Sequence, residues 1–213
     1  LLVLIHGSGV VRAGQWARKL IINNGLKQGT QIPFIERALS GEVDFGVVVL
    51  NTNDNLRQTP DKTERKIPGS GSPIEHGVTA WRQVVQPASA RHIAVIAHSF
   101  GGCVTMELAK EFEQDFIDRV FSVLLTDSVH DMSYTFRKSS SKLKEHLIKV
   151  GVNYVASRKP LGERVTKSGN DIKAVSAGHD THEWTSYSAF DAIFEKLKEQ
   201  LATKIAIDKK SEL

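Results

Sequence analysis

One cysteine in 213 residues excludes an intrachain disulfide and leaves no cysteine cluster for zinc or an iron–sulfur centre. That residue, Cys103, stands in the pattern Cys103, Met106, Leu108, which suits the inner side of a helix, so a packed free thiol is expected. No apolar run approaches the ~20 residues that a membrane-spanning helix requires. The charge excess is also small: 28 Lys and Arg against 24 Asp and Glu. The basic residues are scattered, with modest clusters at 57–66, 137–144 and 204–210, which reads as solvated surface, and no direct nucleic-acid site is evident. A starting Met is missing as well. Leu1 falls inside a strand-like run, so the sequence reads as N-terminally incomplete, and any leader would lie in the missing part.

What remains is an ordinary globular composition, 40% hydrophobic and 24% charged. The length suits one well-buried domain, placed at 1–203, with a basic tail at 204–213. Strand-like and helix-like patterns alternate throughout. Strands are expected at Leu1–Ile5, Phe45–Leu50, His92–Ala97, Val120–Thr126, Val152–Ala156 and, more weakly, Ile172–Ala177. Helices are expected at Ala13–Ile22 (Trp16, Leu20 and Ile21 inward), Thr30–Leu39 (Phe34, Ile35, Ala38 and Leu39 inward), Gly102–Phe112 and Ser141–Val150. A closing helix is expected from about Trp184 to Leu201. Ser72-Pro73-Ile74-Glu75 opens a further helix, with an N-cap, a first-turn proline and a capping glutamate; Val78, Trp81, Val84 and Val85 form its apolar face. The polar stretch from Asn51 to Ser72 reads as a long mobile excursion. Strands that are apolar throughout need cover on both faces, so the expected fold is α/β: a mostly parallel sheet with helices on both sides.

The chemistry concentrates at "IAVIAHSFGGCVTMELA". Ala97-His98-Ser99-Phe100-Gly101 resembles the G-x-S-x-G elbow with Ala for the first Gly, strand before and helix after. Ser99 is then the candidate nucleophile; the plain alternative is a helix cap. A serine nucleophile needs an oxyanion hole, and Phe100 N–H offers one donor. The loop "IHGSG" after the first strand offers the second through Gly7 or Ser8, with His6 shaping the loop. Nucleotide readings of that loop fail. Gly9 to Gly14 is followed by Gln15-Trp16 rather than Lys-Ser/Thr, and Arg12 occupies the last small position of a dinucleotide fingerprint.

For the base, His179 and His182 both follow the last strand. His182 is favoured because it sits just before the closing helix; packing or capping is the alternative. The pair lacks a third ligand at useful spacing, so no metal and no cofactor are expected. For the acid, Asp127 ends "VFSVLLTD" and points to the same end of the sheet, though it could instead cap the turn Asp127-Ser128-Val129-His130. The more usual position, after the following strand, holds Lys159. Glu163 stands in reserve.

Over "LVLIHGSGVVRAGQWARKLIINN", "GTQIPFIERA", "GSPIEH", "AHSFGG", "LTDSVH" and "VSAGHDTHEWTS" the chain resembles the Arb-two (Argonaute-binding) domain family, and within it the animal branch. The resemblance implies an α/β-hydrolase-like fold with Ser99 at the nucleophile position. It also implies a role in alternative splicing and chromatin-linked RNA processing, through contacts with Argonaute and chromatin-remodelling proteins in nucleus and cytoplasm. The ending Lys209-Lys210-Ser211-Glu212-Leu213 is similar to the family's tail, itself similar to an endoplasmic-reticulum retrieval signal. Lys159 and Gly162 stand where relatives carry acids, and the charged loop after Leu50 is shorter, as in a diverged paralogue or a decayed gene copy.

Two functional classes follow: a regulatory scaffold without turnover, and a serine hydrolase of the esterase or thioesterase type using Ser99, His182 and Asp127, its small-molecule substrate open. An active triad calls for His182 Nε2 within about 3.5 Å of Ser99 Oγ, with allowance for loosening in an unliganded site.

Overall fold

A computed structural model describes residues 1–41, 43–166 and 172–211. Six strands form one parallel sheet: β1 (Leu2–Ile5), β2 (Val47–Val49), and, after a small hairpin of β3 (Leu56–Gln58) and β4 (Glu64–Lys66), β5 (Ile93–His98), β6 (Val120–Thr126), β7 (Gly151–Val155) and β8 (Lys173–Ser176). Their spatial order is β2-β1-β5-β6-β7-β8. Leu4 pairs with Ile96, Ile96 with Leu124, and Leu124 with Val152, so a single register crosses the centre.

Helices cover both faces: α1 (Arg18–Asn24), α2 (Leu26–Gly29) and α3 (Ile32–Leu39) after β1; α4 (Pro73–Ala80) before β5; α5 (Phe100–Glu111) and α6 (Glu113–Arg119) between β5 and β6; α7 (Met132–Thr135) and α8 (Ser141–Val150) before β7; α9 (Thr185–Ser188) and α10 (Phe190–Ser211) after β8. Alternate strand residues serve opposite cores. Val3, Val95 and Val123 face Trp81, Leu108, Phe116 and Leu147. Leu2, Ile96 and Leu124 face Trp16, Phe34, Phe194 and Leu197. This is the three-layer α/β arrangement that fully apolar strands demand. Among the described residues no helix is long and apolar enough to cross a membrane.

Departures from the sequence reading have local causes. The first helix starts at Arg18, not Ala13, because the N–H groups of Trp16 and Ala17 are spent on Gly29 O. A side chain at position 29 would meet Ile21 N at 2.5 Å, so only glycine permits that approach. α4 opens as read, Ser72 Oγ accepting from Glu75 N at 3.1 Å. It then widens into a π turn, Trp81–Val85, which changes the angular phase: Trp81 and Val85 are buried while Val84, expected inward, is 51% exposed. Leu39 likewise faces solvent, at 58% exposure.

β2 is a half-buried edge strand rather than a fully buried one. The excursion at 51–72 carries the β3–β4 hairpin, and Asn55 Nδ2 ties it down by donating to Thr52 O and Ser70 O at 2.9 and 2.8 Å. The closing helix begins later than read, at Phe190, and runs on through residue 203 to Ser211. Near its end Asp208 Oδ2 meets His92 Nε2 at 2.7 Å, against the start of β5. Glu212 and Leu213 of the tail lie outside the described residues.

Candidate functional site

The carboxyl ends of parallel strands all open toward one edge of the sheet, where ligands of such folds bind. Here β1 delivers the His6–Gly9 loop, β5 delivers Ser99, β6 delivers Asp127, and the segment after β8 delivers His182.

Ser99 sits between β5 and α5 with φ 53° and ψ −120°. That backbone is costly for a residue with a Cβ, by about 1–3 kcal/mol, and persists only when its surroundings enforce it. They do. Ser99 N donates to Thr126 O at 3.0 Å, and Gly102 N donates to Ser99 O at 3.1 Å. A Cβ at Gly101 would lie 2.5 Å from Ile5 O, and one at Gly102 would fall 1.8 Å from Ser128 Oγ. The two glycines let α5 start in contact with β1 and with the loop after β6. Ser99 makes no capping bond to α5, so the structure does not give it the plain role of an N-cap.

Phe100 N–H at the helix start, and Gly7 and Ser8 N–H in the first loop, meet no acceptor among the described residues. The loop is packed against the serine: a Cβ on Gly7 would stand 3.0 Å from Ser99 Cβ. Its shape is held by Asn53, whose Nδ2 donates to Gly7 O and Val11 O at 2.9 and 3.0 Å. His6 is buried and its Nδ1 donates to Gly7 O at 2.8 Å; burial pushes its pKa down, so it shapes the loop as a neutral ring.

His182 Nδ1 lies 2.7 Å from Asp127 Oδ2. The other carboxylate oxygen accepts from Ala156 N at 3.1 Å, and Asp127 N donates to Tyr154 O, so β7 orients the acid. A carboxylate only accepts, so Nδ1 carries the proton and Nε2 presents its lone pair. The hydrogen bond it donates to Asp127 holds the His182 pKa above its ordinary value, against partial burial. Asp127 is therefore a partner of the imidazole, not simply a turn cap.

The reserve candidates are engaged elsewhere. Glu163 pairs with Lys159 at 2.7 Å, and both are half-exposed. His179 stacks on Trp184, ring centroids 5.2 Å apart, and its Nδ1 accepts from Thr181 N.

Ser99, His98 and His182 line one cleft of about 430 Å³, together with Gly7, Ser8 and Trp16. Ser99 Oγ has no hydrogen-bond partner among the described residues, so the serine–imidazole contact is not made in this structure. The sequence reading passed over His98. It is buried, its Nδ1 lies 3.1 Å from Thr126 Oγ1, and its ring stands 4.6 Å from that of His182. Burial drives its pKa down to about 3, so it is a neutral wall beside the imidazole. The signal was available: a histidine closing an otherwise apolar strand. Among the described residues no group of three or more His, Cys, Asp or Glu is placed to hold a metal ion.

Comparison with known proteins gives a consistent pattern. The sequence model of the Arb2 domain matches residues 1–161. The chain is 43% identical to a Caenorhabditis elegans protein named FAM172 family protein homolog, over 94% of this chain and 61% of that protein. It is 35% identical to the mouse protein named Cotranscriptional regulator ARB2A, over 98% of this chain and 61% of that one. A Dictyostelium discoideum homolog of the same name is 32% identical over 92% and 57%. The chain thus spans about three fifths of the length of the curated relatives it matches. The mouse alignment runs over 257 positions, longer than this chain, so the mouse protein carries inserted residues that are absent here; the nematode alignment, over 203, needs almost none. No solved structure matches.

Proposed function

This chain belongs to the Arb2-domain family, and we propose that it is the domain of a cotranscriptional regulator that keeps a serine-hydrolase-type site at the carboxyl edge of its sheet. The regulatory part rests on the names of its relatives. It extends to a nuclear role in RNA processing, with Argonaute and chromatin-remodelling or splicing proteins as the partners implied by the family resemblance.

The chemical part rests on one observation: a His182–Asp127 hydrogen bond of 2.7 Å facing the same cleft as a serine held at φ 53°. In this reading Ser99 Oγ attacks an acyl carbonyl while His182 Nε2 takes its proton. The negative charge that develops on the carbonyl oxygen is met by Phe100 N–H and by Gly7 or Ser8 N–H. His182 then returns the proton to the leaving group, and a water repeats the sequence to release the acid and free the serine. Asp127 holds the imidazole in the required tautomer throughout.

A second reading, a scaffold that has kept the elbow without turnover, is favoured by the absent Ser99 Oγ hydrogen bond. Reaction with p-nitrophenyl acetate separates the two. A hydrolase gives a stoichiometric burst of nitrophenol and an acetyl group on Ser99 by peptide mass spectrometry, both abolished in Ser99→Ala. No burst and no acetylation in the wild type selects the scaffold.

A further inference from the structure

We propose that the cleft takes an acyl substrate bearing an anionic group, carboxylate or phosphate, which Arg18 and Lys19 receive; this rests on the reading of Ser99 as the point of acyl attack. The cleft is asymmetric. It is lined by Ser99 and His98, by the loop Gly7–Val11, and by Trp16, Ala17, Arg18 and Lys19 leading into α1. His182 and Glu183 complete the lining, on a turn that packs against α1. Val10, 66% exposed on the cleft, offers apolar surface to the hydrocarbon part of a short acyl chain.

The charges on the rim are unequal in their commitments. Several basic side chains elsewhere are spent within the molecule: Arg37 on Asp191, Arg82 on Glu111, Arg119 on Asp115, Arg158 on Asp180, and Lys159 on Glu163. Arg18 and Lys19 are exposed and have no acidic partner among the described residues, yet they flank the cleft side by side. Glu183, the one acid among the described residues that line the cleft, stands beside His182 and adds to the Asp127 hydrogen bond in raising its pKa. Two cations, Arg18 and Lys19, against one acid, Glu183, leave the rim net positive, which draws the anionic end of a substrate there while its acyl carbonyl meets Ser99. A guanidinium and an ammonium together suit an oxyanion, the first through its fork and the second as a point charge.

The test is binding, so that it stands whether or not the serine turns over. Titration calorimetry compares mono-methyl glutarate and methyl 4-phosphonobutyrate with neutral dimethyl glutarate, on wild type, Ser99→Ala and the double variant Arg18→Glu/Lys19→Glu. Circular dichroism serves as the folding control, since both side chains are exposed. The expected result is at least tenfold tighter binding of an anionic probe to wild type and to Ser99→Ala, weakened by salt and lost in the double variant. The relative strength of the two anions tells carboxylate from phosphate. Anionic probes binding no tighter than the neutral diester, or binding unchanged in the folded double variant, overturns the anion site. Charge-dependent binding without any acylation of Ser99 upholds the site while removing only the hydrolase reading.

Discussion

His182 Nδ1 and Asp127 Oδ2, 55 positions apart in sequence, meet at 2.7 Å across the carboxyl ends of β6 and β8. Asp127 follows the strand next to the one that leads into Ser99, one strand earlier than the position held by Lys159. Lys159 itself points to Glu163 and away from this chemistry.

That pair sets a pH dependence. Its hydrogen bond raises the His182 pKa above the ordinary 6.5, and the base must be neutral to work, so acylation of Ser99 rises with pH through a midpoint above 6.5. Asp127→Asn moves the midpoint down and lowers the plateau by about 10³–10⁴-fold through loss of the correct tautomer. Stability runs the other way. A raised folded-state pKa stabilises below the unfolded value, and that contribution fades as pH climbs through the folded one. Stopped-flow acylation and thermal melts across pH 5–9 check both limbs.

Ser99→Gly abolishes acylation and raises the melting temperature. Serine at φ 53°, ψ −120° costs about 1–3 kcal/mol, whereas the entropy that glycine adds to the unfolded chain costs about 0.5–1 kcal/mol. At about 2–4 °C per kcal/mol for a chain of this size, the gain is a few degrees by calorimetry.

Gly101→Ala has the opposite effect. Its Cβ would meet Ile5 O at 2.5 Å and His6 O at 2.8 Å, both backbone atoms of a central strand and the loop it feeds. Overpacking of this kind costs about 1–3 kcal/mol or more, read as a lower midpoint in urea with unchanged slope.

Trp81→Ala destabilises by about 3–5 kcal/mol, as expected for a fully buried indole. Trp81 is 0% exposed, stacks on Phe116 at 4.9 Å, and donates from Nε1 to Asp115 Oδ2 at 2.8 Å. The alanine also strips one partner from a carboxylate that Arg119 shares. The same urea titration checks it; Val84→Ala, exposed on the same π turn, changes little.

Much of this was legible in the sequence, because β1, β5 and β6 are apolar except at His98, Ser122 and Thr126 and so announce burial on both faces. Ser72 and Glu75 likewise declared their cap. What was not legible depended on long-range geometry. The π turn at Trp81–Val85 shifts which residues face inward without any local signature. The late start of α1 comes from backbone bonds to Gly29, thirteen positions beyond Trp16. Spacing put Asp127 ahead of Glu163 but could not show what orients it, the Tyr154 carbonyl of β7 and the N–H of Ala156 just past that strand. His98 went unread because an elbow motif treats its position as free.

Covalent labelling by a fluorophosphonate reads directly whether Ser99 is an activated nucleophile. An activated serine gives a single adduct on Ser99 by peptide mass spectrometry, absent in Ser99→Ala and slowed at least a hundredfold in His182→Gln. Equal labelling of wild type and Ser99→Ala, or none in a folded wild type, would contradict it.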